Sequence, residues 1–412
     1  MNKQTSITIM IIGLLPLVMV LGNSMLIPIL PLMELELRIT PFEAGLLLSV
    51  FSIVAAVVIP IVGFLSDRFG RKKLVLISLA FVMIGSILTI IAGELVAEPF
   101  LLVFIGRIIQ GIGAGGTAPL AMALVGDLFE GSLRSKSLGV LEVFNGIGKV
   151  ISPFLGAMAA IFFWYSVFYI YFLLAIVAFL GIYFFVSTAN QEKNNQSLAN
   201  YRRMLVSVLK REASWLFPVS FLGAVGLFIL FGLLVFLSFE IERIYAVDGI
   251  FKGIVFTIPL GALTVTSYWA GNNIGNNLEY MKKLLLVGII LQLLALLVLL
   301  FFHQLLGLVF GLTIFSTGLG LILPCVNTLI TSSVGSKERG LIVSVYAMVR
   351  FFGVAFGPIL FSLWMDSRIH MYVKAIILLM ISSLWVITSL KLTSVIILMR
   401  SELKKSFLIK KS

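Results

Sequence analysis

Glu142, Lys149 and Arg350 are ionisable residues that stand inside otherwise apolar stretches of this chain. Hydrocarbon penalises charge, so residues of this kind need a cavity or a partner and mark candidate sites of function. Glu142 and Lys149 are seven residues apart, which puts them on one helical face about 10 Å from each other. Glu142 is the only acid well inside such a stretch. Burial disfavours its charged form and Lys149 favours it, the opposed pulls that suit a proton carrier. The same two residues can equally form a structural salt bridge. Asn145 lies between them, and Arg350 stands at similar depth in a later stretch. With Arg107, cations outnumber the single acid. A chamber lined by these groups suits a neutral, zwitterionic or anionic amphipathic substrate better than a lipophilic cation. The first apolar stretch holds no interior acid, only Asn23 and Ser24.

The elements that must position these residues are membrane spans. Hydrophobic residues are 60% of the 412 and charged ones 12%, against roughly a quarter charged in a soluble domain. Runs of about 20 apolar residues recur, each long enough to cross a hydrocarbon core roughly 30 Å thick. The pattern predicts twelve spans: 7–33, 42–65, 74–93, 100–125, 137–163, 166–187, 214–239, 250–270, 283–302, 304–331, 340–364 and 372–392. His303 divides the ninth span from the tenth, and Lys391 interrupts the last span. Residues 7–33 are too long for a signal-peptide core and are read as the first span.

Charge sets the expected orientation. Of the 30 Lys and Arg residues, 21 fall in segments on the side of the N-terminus and five on the other side. Arg107, Lys149, Arg350 and Lys391 fall within spans. By the positive-inside rule both termini of this multi-pass protein are expected in the cytoplasm. The net charge of +12 is accounted for in this way without nucleic acid. The expected organisation is a six-helix bundle at 1–187, a cytoplasmic linker at 188–213, a second bundle at 214–399 and a basic tail at 400–412 lying along anionic headgroups. Part of the linker is expected to lie as an amphipathic helix on the membrane surface.

One cysteine, Cys325, and two histidines, His303 and His370, leave no disulfide and no Cys/His metal cluster. With no nucleotide loop and no nucleophile elbow, the chain is expected to be neither an enzyme nor a cofactor binder.

An internal repeat supports a two-bundle organisation. At a constant offset of 205 residues, Gly106 pairs with Gly311, Gly113 with Gly318, Gly115 with Gly320, Pro119 with Pro324, Arg134 with Arg339, Gly148 with Gly353 and Pro153 with Pro358. Two halves of like topology are a signature of secondary transporters whose site lies between the repeats. Gly63–Lys73, GFLSDRFGRKK, falls in the short loop between spans two and three. Its degenerate copy, GNNIGNN, is at Gly271–Asn277.

Here the sequence resembles the major facilitator superfamily. That family's loop signature, G-x-L-a-D-r-x-G-r-r/k, is filled by Gly63, Leu65, Asp67, Arg68, Gly70, Arg71 and Lys72. The fourth span, GRIIQGIGAGGTAPLAMALVGD, is similar to the family's arginine-led, glycine-rich fourth helix. GIGKVISPFLGA in the fifth span resembles the drug:proton antiporter signature g-x-x-x-G-P-x-x-G-G through Gly148, Pro153 and Gly156. Ser152 and Ala157 replace two glycines, and Gly353, Gly357 and Pro358 repeat the pattern in the second half. The resemblance implies an all-α fold of two pseudo-symmetric six-helix bundles and a proton-coupled exporter that works as a monomer. It also implies a gating cluster of Asp67, Arg71, Asp127, Glu130 and Arg134. Arg107 would then tune proton exchange from the outer half of the cavity, with a snorkelling arginine as the plainer reading. Multidrug efflux is the leading expectation. Export of a self-made anionic metabolite such as a catecholate siderophore, and proton-linked import of a sugar or organic acid, stand as alternatives.

Overall fold

The structure, a computed structural model, describes residues 3–187, 198–275, 277–332 and 336–409. Among these residues the chain is helical and contains no strand. Twelve helices are long and apolar enough to cross a membrane: Lys3–Leu37, Pro41–Phe69, Arg71–Leu95, Phe100–Leu128, Gly131–Ala159, Ser166–Phe185, Lys210–Tyr245, Gly249–Ile274, Leu278–Phe301, Leu305–Thr331, Leu341–Trp364 and Arg368–Ser389. They are numbered as spans one to twelve. The division at His303 stands, with a short turn between Phe301 and Leu305.

Two local departures from the expected pattern have physical causes. Span one is broken: Lys3–Ser24 and Leu30–Leu37 are joined by a 3-10 turn at Ile27–Ile29. Pro28 and Pro31 withhold the N–H groups that a continuous helix needs. Span four breaks after Gly115 and resumes at Ala118, where Pro119 sits in the first turn and the Thr117 hydroxyl donates to the Ala114 carbonyl. Its repeat partner, span ten, stays continuous through Pro324. Residues 188–197 of the expected linker lie outside the described residues. From Leu198 the chain is one helix to Tyr245, so the second half of that linker is continuous with span seven. Span twelve likewise belongs to a helix that runs on to Ile409, and the side chains of the basic tail lie outside the described residues.

The two halves pack alike. Span one packs on span five as span seven packs on span eleven. Gly148 meets Leu17 and Val20 of span one, and Gly156 lies against the Met25 backbone. In the second half Gly353 and Gly357 lie against the carbonyls of Ala224 and Phe228 of span seven. Spans three and four close up where Gly85 meets the Gly106 carbonyl, and spans nine and ten where Gly288 meets that of Gly318. Small residues let backbones approach where lipid offers no hydrophobic drive for association. The turns at Gly70 and Gly275, 205 residues apart, share positive φ (+91° and +51°), a region costly for any side chain. Between the halves, span two packs on span eleven and span five on span eight.

Candidate functional site

The site is built where span five faces the second bundle. Gly148 and Gly156 turn toward span one, whereas Gly146 meets Thr264 and Ala157 meets Gly253 of span eight. Advancing 100° per residue, Glu142 and Lys149 fall between these two faces, toward the space between the bundles. The opposite side carries exposed Ile147, Ile151 and Met158. On span eleven, Gly353 and Gly357 face span seven while Pro358 and Ser362 face Gly45 of span two. Arg350 falls between those faces and so points into the same space. Lys149 lies within electrostatic reach of both Glu142 and Arg350.

Several polar atoms here are unspent. Asn145 Oδ1 and Arg350 Nε are buried without a hydrogen-bond partner. The Arg350 guanidinium lies over the Tyr346 ring, 5.4 Å from its centroid. Glu142 is exposed rather than buried, and among the described residues no ion pair within 4.0 Å joins it to Lys149. Both departures correct the expectation of a buried carboxyl and of a structural Glu142–Lys149 bridge in this conformation. The bridge is missing because seven residues set the two groups about 10 Å apart along one helix, and the carboxyl is exposed where spans five and eight part. They are held by Thr257 Oγ1 donating to the Val150 carbonyl (3.1 Å) and by Thr264 against Gly146. Seven residues further along each, nothing lies within 4 Å of a Cβ placed on Gly139 or Gly271. The chamber therefore opens toward the end that bears the Gly63–Lys73 loop.

The far end is shut. Arg243 Nη2 of span seven donates to both carboxylate oxygens of Glu34 of span one, at 2.6 and 2.7 Å. Glu242 pairs with Lys252 at 2.6 Å, and Glu240 with Arg368. A cavity of ≈ 260 Å³ lined by Thr40, Phe42, Phe239, Glu240, Arg243 and Asp366 remains beside this seal. It is below the usual ligand-pocket range of roughly 300–1,000 Å³. These pairings were missed from sequence, although acids and bases collected at the same span ends were a usable signal.

Arg107 is not a chamber residue, which corrects the expected placement in the outer half of the cavity. It is 0% exposed, inside the first bundle, and so does not snorkel. Its guanidinium donates to the carbonyls of Gly22 (2.7 Å) and Leu47 (3.0 Å) and to Gln110 Oε1 (2.7 Å), over the Phe51 ring. Asn23 is buried next to Gly22, at the bend of span one, with Oδ1 unpartnered.

At the loop end Arg71 bridges Asp67 (3.3 Å) and Asp127 (3.0 Å), tying spans two, three and four of one bundle together. Arg68 lies over Phe69, and Gly63 faces Ser344 of span eleven. Glu130 and Arg134 are exposed, and the Arg134 guanidinium lies against Gly126 instead of joining the Arg71 cluster. Among the described residues no group of three or more His, Cys, Asp or Glu side chains could hold a metal ion.

Residues 12–358 match the family described as Major Facilitator Superfamily. The chain is 38% identical over 354 residues to a bacillibactin exporter of Bacillus subtilis (strain 168), covering 85% of this chain and 88% of the relative. It is 29% identical over 198 residues to the class B tetracycline resistance protein of Escherichia coli, 47% of each chain. The fold is similar to that of the human organic anion transporter MFSD10 (TETRAN), with a TM-score of 0.72 at 19% identity, over 94% of this chain and 100% of that one.

Proposed function

The chain belongs to the major facilitator superfamily, and on that premise we propose that it is a proton-coupled exporter of a small anionic amphipath, a catecholate siderophore being the leading case. The observation that carries this reading is that Lys149 and Arg350 face one chamber from opposite bundles, with Glu142 the acid that acts on Lys149 among the described residues. The likeness to a relative named as an exporter, over most of both chains, supports the direction of transport.

The loop end is cytoplasmic in this reading, because the excess of Lys and Arg lies there. The open mouth then loads cargo from the cytoplasm, while the Glu34–Arg243 seal faces outward. A proton moving inward contributes about 2.3 kcal/mol per 100 mV, enough to bias export. Glu142 is the proton carrier, at the cytoplasmic end of the cationic face. Asp67, Arg71 and Asp127 act on switching rather than on cargo. The working unit is a monomer, with first-bundle and second-bundle boundaries near residues 187 and 214.

The test is a deletion in the native host under iron limitation, with secreted and intracellular catechol measured with and without an uncoupler. Less secreted catechol with accumulation inside is expected, and the uncoupler should reproduce it in the parent strain. Unchanged catechol together with new sensitivity to dyes or tetracycline would replace this reading by multidrug efflux, which the likeness to the tetracycline resistance protein favours. Uptake driven by an inward proton gradient would overturn export altogether.

A further inference from the structure

We propose that the cavity beside the Glu34–Arg243 seal is a binding site for a small organic ammonium ion with an apolar tail, entered from the far end. This goes beyond the export reading and does not depend on the cargo. The cavity holds ≈ 260 Å³, and both bundles wall it. Phe42 comes from the start of span two, Phe236, Phe239 and Glu240 from the end of span seven, and Leu363 and Asp366 from the end of span eleven and the turn after it. Its size suits an amine smaller than a drug-sized ligand.

Charge selects the sign of the ligand. Arg243 is taken by Glu34, Arg368 by Glu240 and Lys252 by Glu242. Lys374 rests over the Trp364 ring, 4.8 Å from its centroid. Among the described residues no cation within 4.0 Å answers Asp366, which is exposed at the rim of the cavity. The pairings therefore leave the lining with an uncompensated negative charge. His303 lies within electrostatic reach of Glu240 and adds positive charge only when protonated. The walls supply the rest. Phe236 and Phe239 are buried and Phe42 is half-buried. The Arg243 guanidinium already lies over the Phe239 ring, 5.0 Å from its centroid, so this wall stabilises a cation. An ammonium at Asp366, with an aryl or alkyl tail among Phe42, Phe236 and Leu363, gains an ion pair, ring-face attraction and apolar burial together. An anion of the same shape is repelled, and a neutral alcohol lacks the ion pair. Because both bundles wall it, the seat is complete only while the far end is shut. A ligand favours the state that it binds better, so an amine added at the far end should slow turnover without competing with cargo at the open mouth.

The experiment titrates the full chain, in phosphatidylcholine nanodiscs at about pH 8 where His303 is neutral, with phenethylamine, 2-phenylethanol and phenylacetate. Heats are read against empty nanodiscs. Saturable phenethylamine binding of about millimolar affinity is expected, with the alcohol and the anion roughly tenfold weaker. Asp366→Asn should weaken the amine roughly fivefold, the range of an exposed ion pair, and Asp366→Glu should keep it. Leu363→Trp should abolish binding by filling the space, and Leu363 is 53% exposed, so the fold accepts the larger ring. A second readout places spin labels at Leu95→Cys and Leu306→Cys on a Cys325→Ser background, both exposed at the far end, one in each bundle. With Glu34→Gln added to loosen the seal, phenethylamine should deplete the long-distance population.

No saturable binding, equal binding of the three probes, or amine binding that survives both Asp366→Asn and Leu363→Trp overturns the site. Binding that leaves the distances unchanged keeps the site and overturns its hold on turnover. Binding lost when phosphatidylethanolamine replaces phosphatidylcholine keeps the ammonium seat and assigns it to a lipid headgroup instead of a free amine.

Discussion

Pro153 and Pro358 occupy equivalent places in the two halves, and each offers its carbonyl to a glycine of the opposite bundle. A Cβ on Gly45 would stand 3.0 Å from the Pro358 oxygen, and one on Gly253 3.1 Å from that of Pro153. The same contact is thus made twice across the interface, once by span two on span eleven and once by span eight on span five. Backbone sits at both positions, so an added methyl cannot be accommodated by a rotamer change. Gly45→Ala and Gly253→Ala should each disfavour the closed far end. Overpacking of about 1–3 kcal/mol, felt only in that state, corresponds to a population shift of roughly 5- to 150-fold. Labelling of Phe42→Cys by an impermeant maleimide reads the opening. Gly139→Ala, with free space around it, is the control that should change nothing. Equal labelling in all three would mean that the proline contacts do not set the closure.

The Glu34–Arg243 bridge is the charged part of the same seal. Arg243 is half exposed (50%) and Glu34 largely covered (17%). Partial exposure limits such a pair to about 0–1 kcal/mol, so Glu34→Gln should raise far-end opening by no more than about fivefold. High salt should act in the same direction through screening. The reversed pair Glu34→Arg/Arg243→Glu should recover most of the loss. Failure of both salt and reversal to move the labelling of Phe42→Cys would show that the bridge is incidental.

Glu142→Gln should abolish transport driven by a proton gradient in proteoliposomes while leaving cargo binding measurable. The residue is exposed and forms no ion pair among the described residues, so its loss should not unfold the protein. Full proton-driven activity in this variant would remove Glu142 from the coupling step.

Arg71 divides its charge unequally. Its partner Asp127 is nearer (3.0 Å) and more covered (19% exposed) than Asp67 (3.3 Å, 48%). Desolvated pairs are screened less, so Asp127→Asn should slow turnover more than Asp67→Asn, with normal membrane insertion in both. Initial rates in proteoliposomes rank the two. The reverse order, or unmodified rates in both, would sink the switching role of this cluster.

The apolar runs and the repeat offset made the twelve spans and their two-half organisation legible, because a hydrocarbon solvent allows a chain of this composition little besides packed helices. The face shared by Glu142 and Lys149 was legible for the same reason: helical period alone fixes it. Span one and span four show the limit. Their prolines were visible, yet span ten holds Pro324 without breaking, so the outcome depended on what neighbours could re-satisfy the backbone.

What no linear pattern could decide was where Arg107 finds its acceptors. Two of them are backbone carbonyls 60 and 85 residues away, and a carbonyl carries no side-chain signature. The same holds for the charges at span ends. Composition put acids and bases at the far end, but only the approach of spans one and seven joined Glu34 to Arg243. The amino-acid order determined which residues lie in the membrane and on which helical face. The tertiary structure decided which faces meet and which part, because the choice rests on packing between segments that period and hydropathy treat as interchangeable.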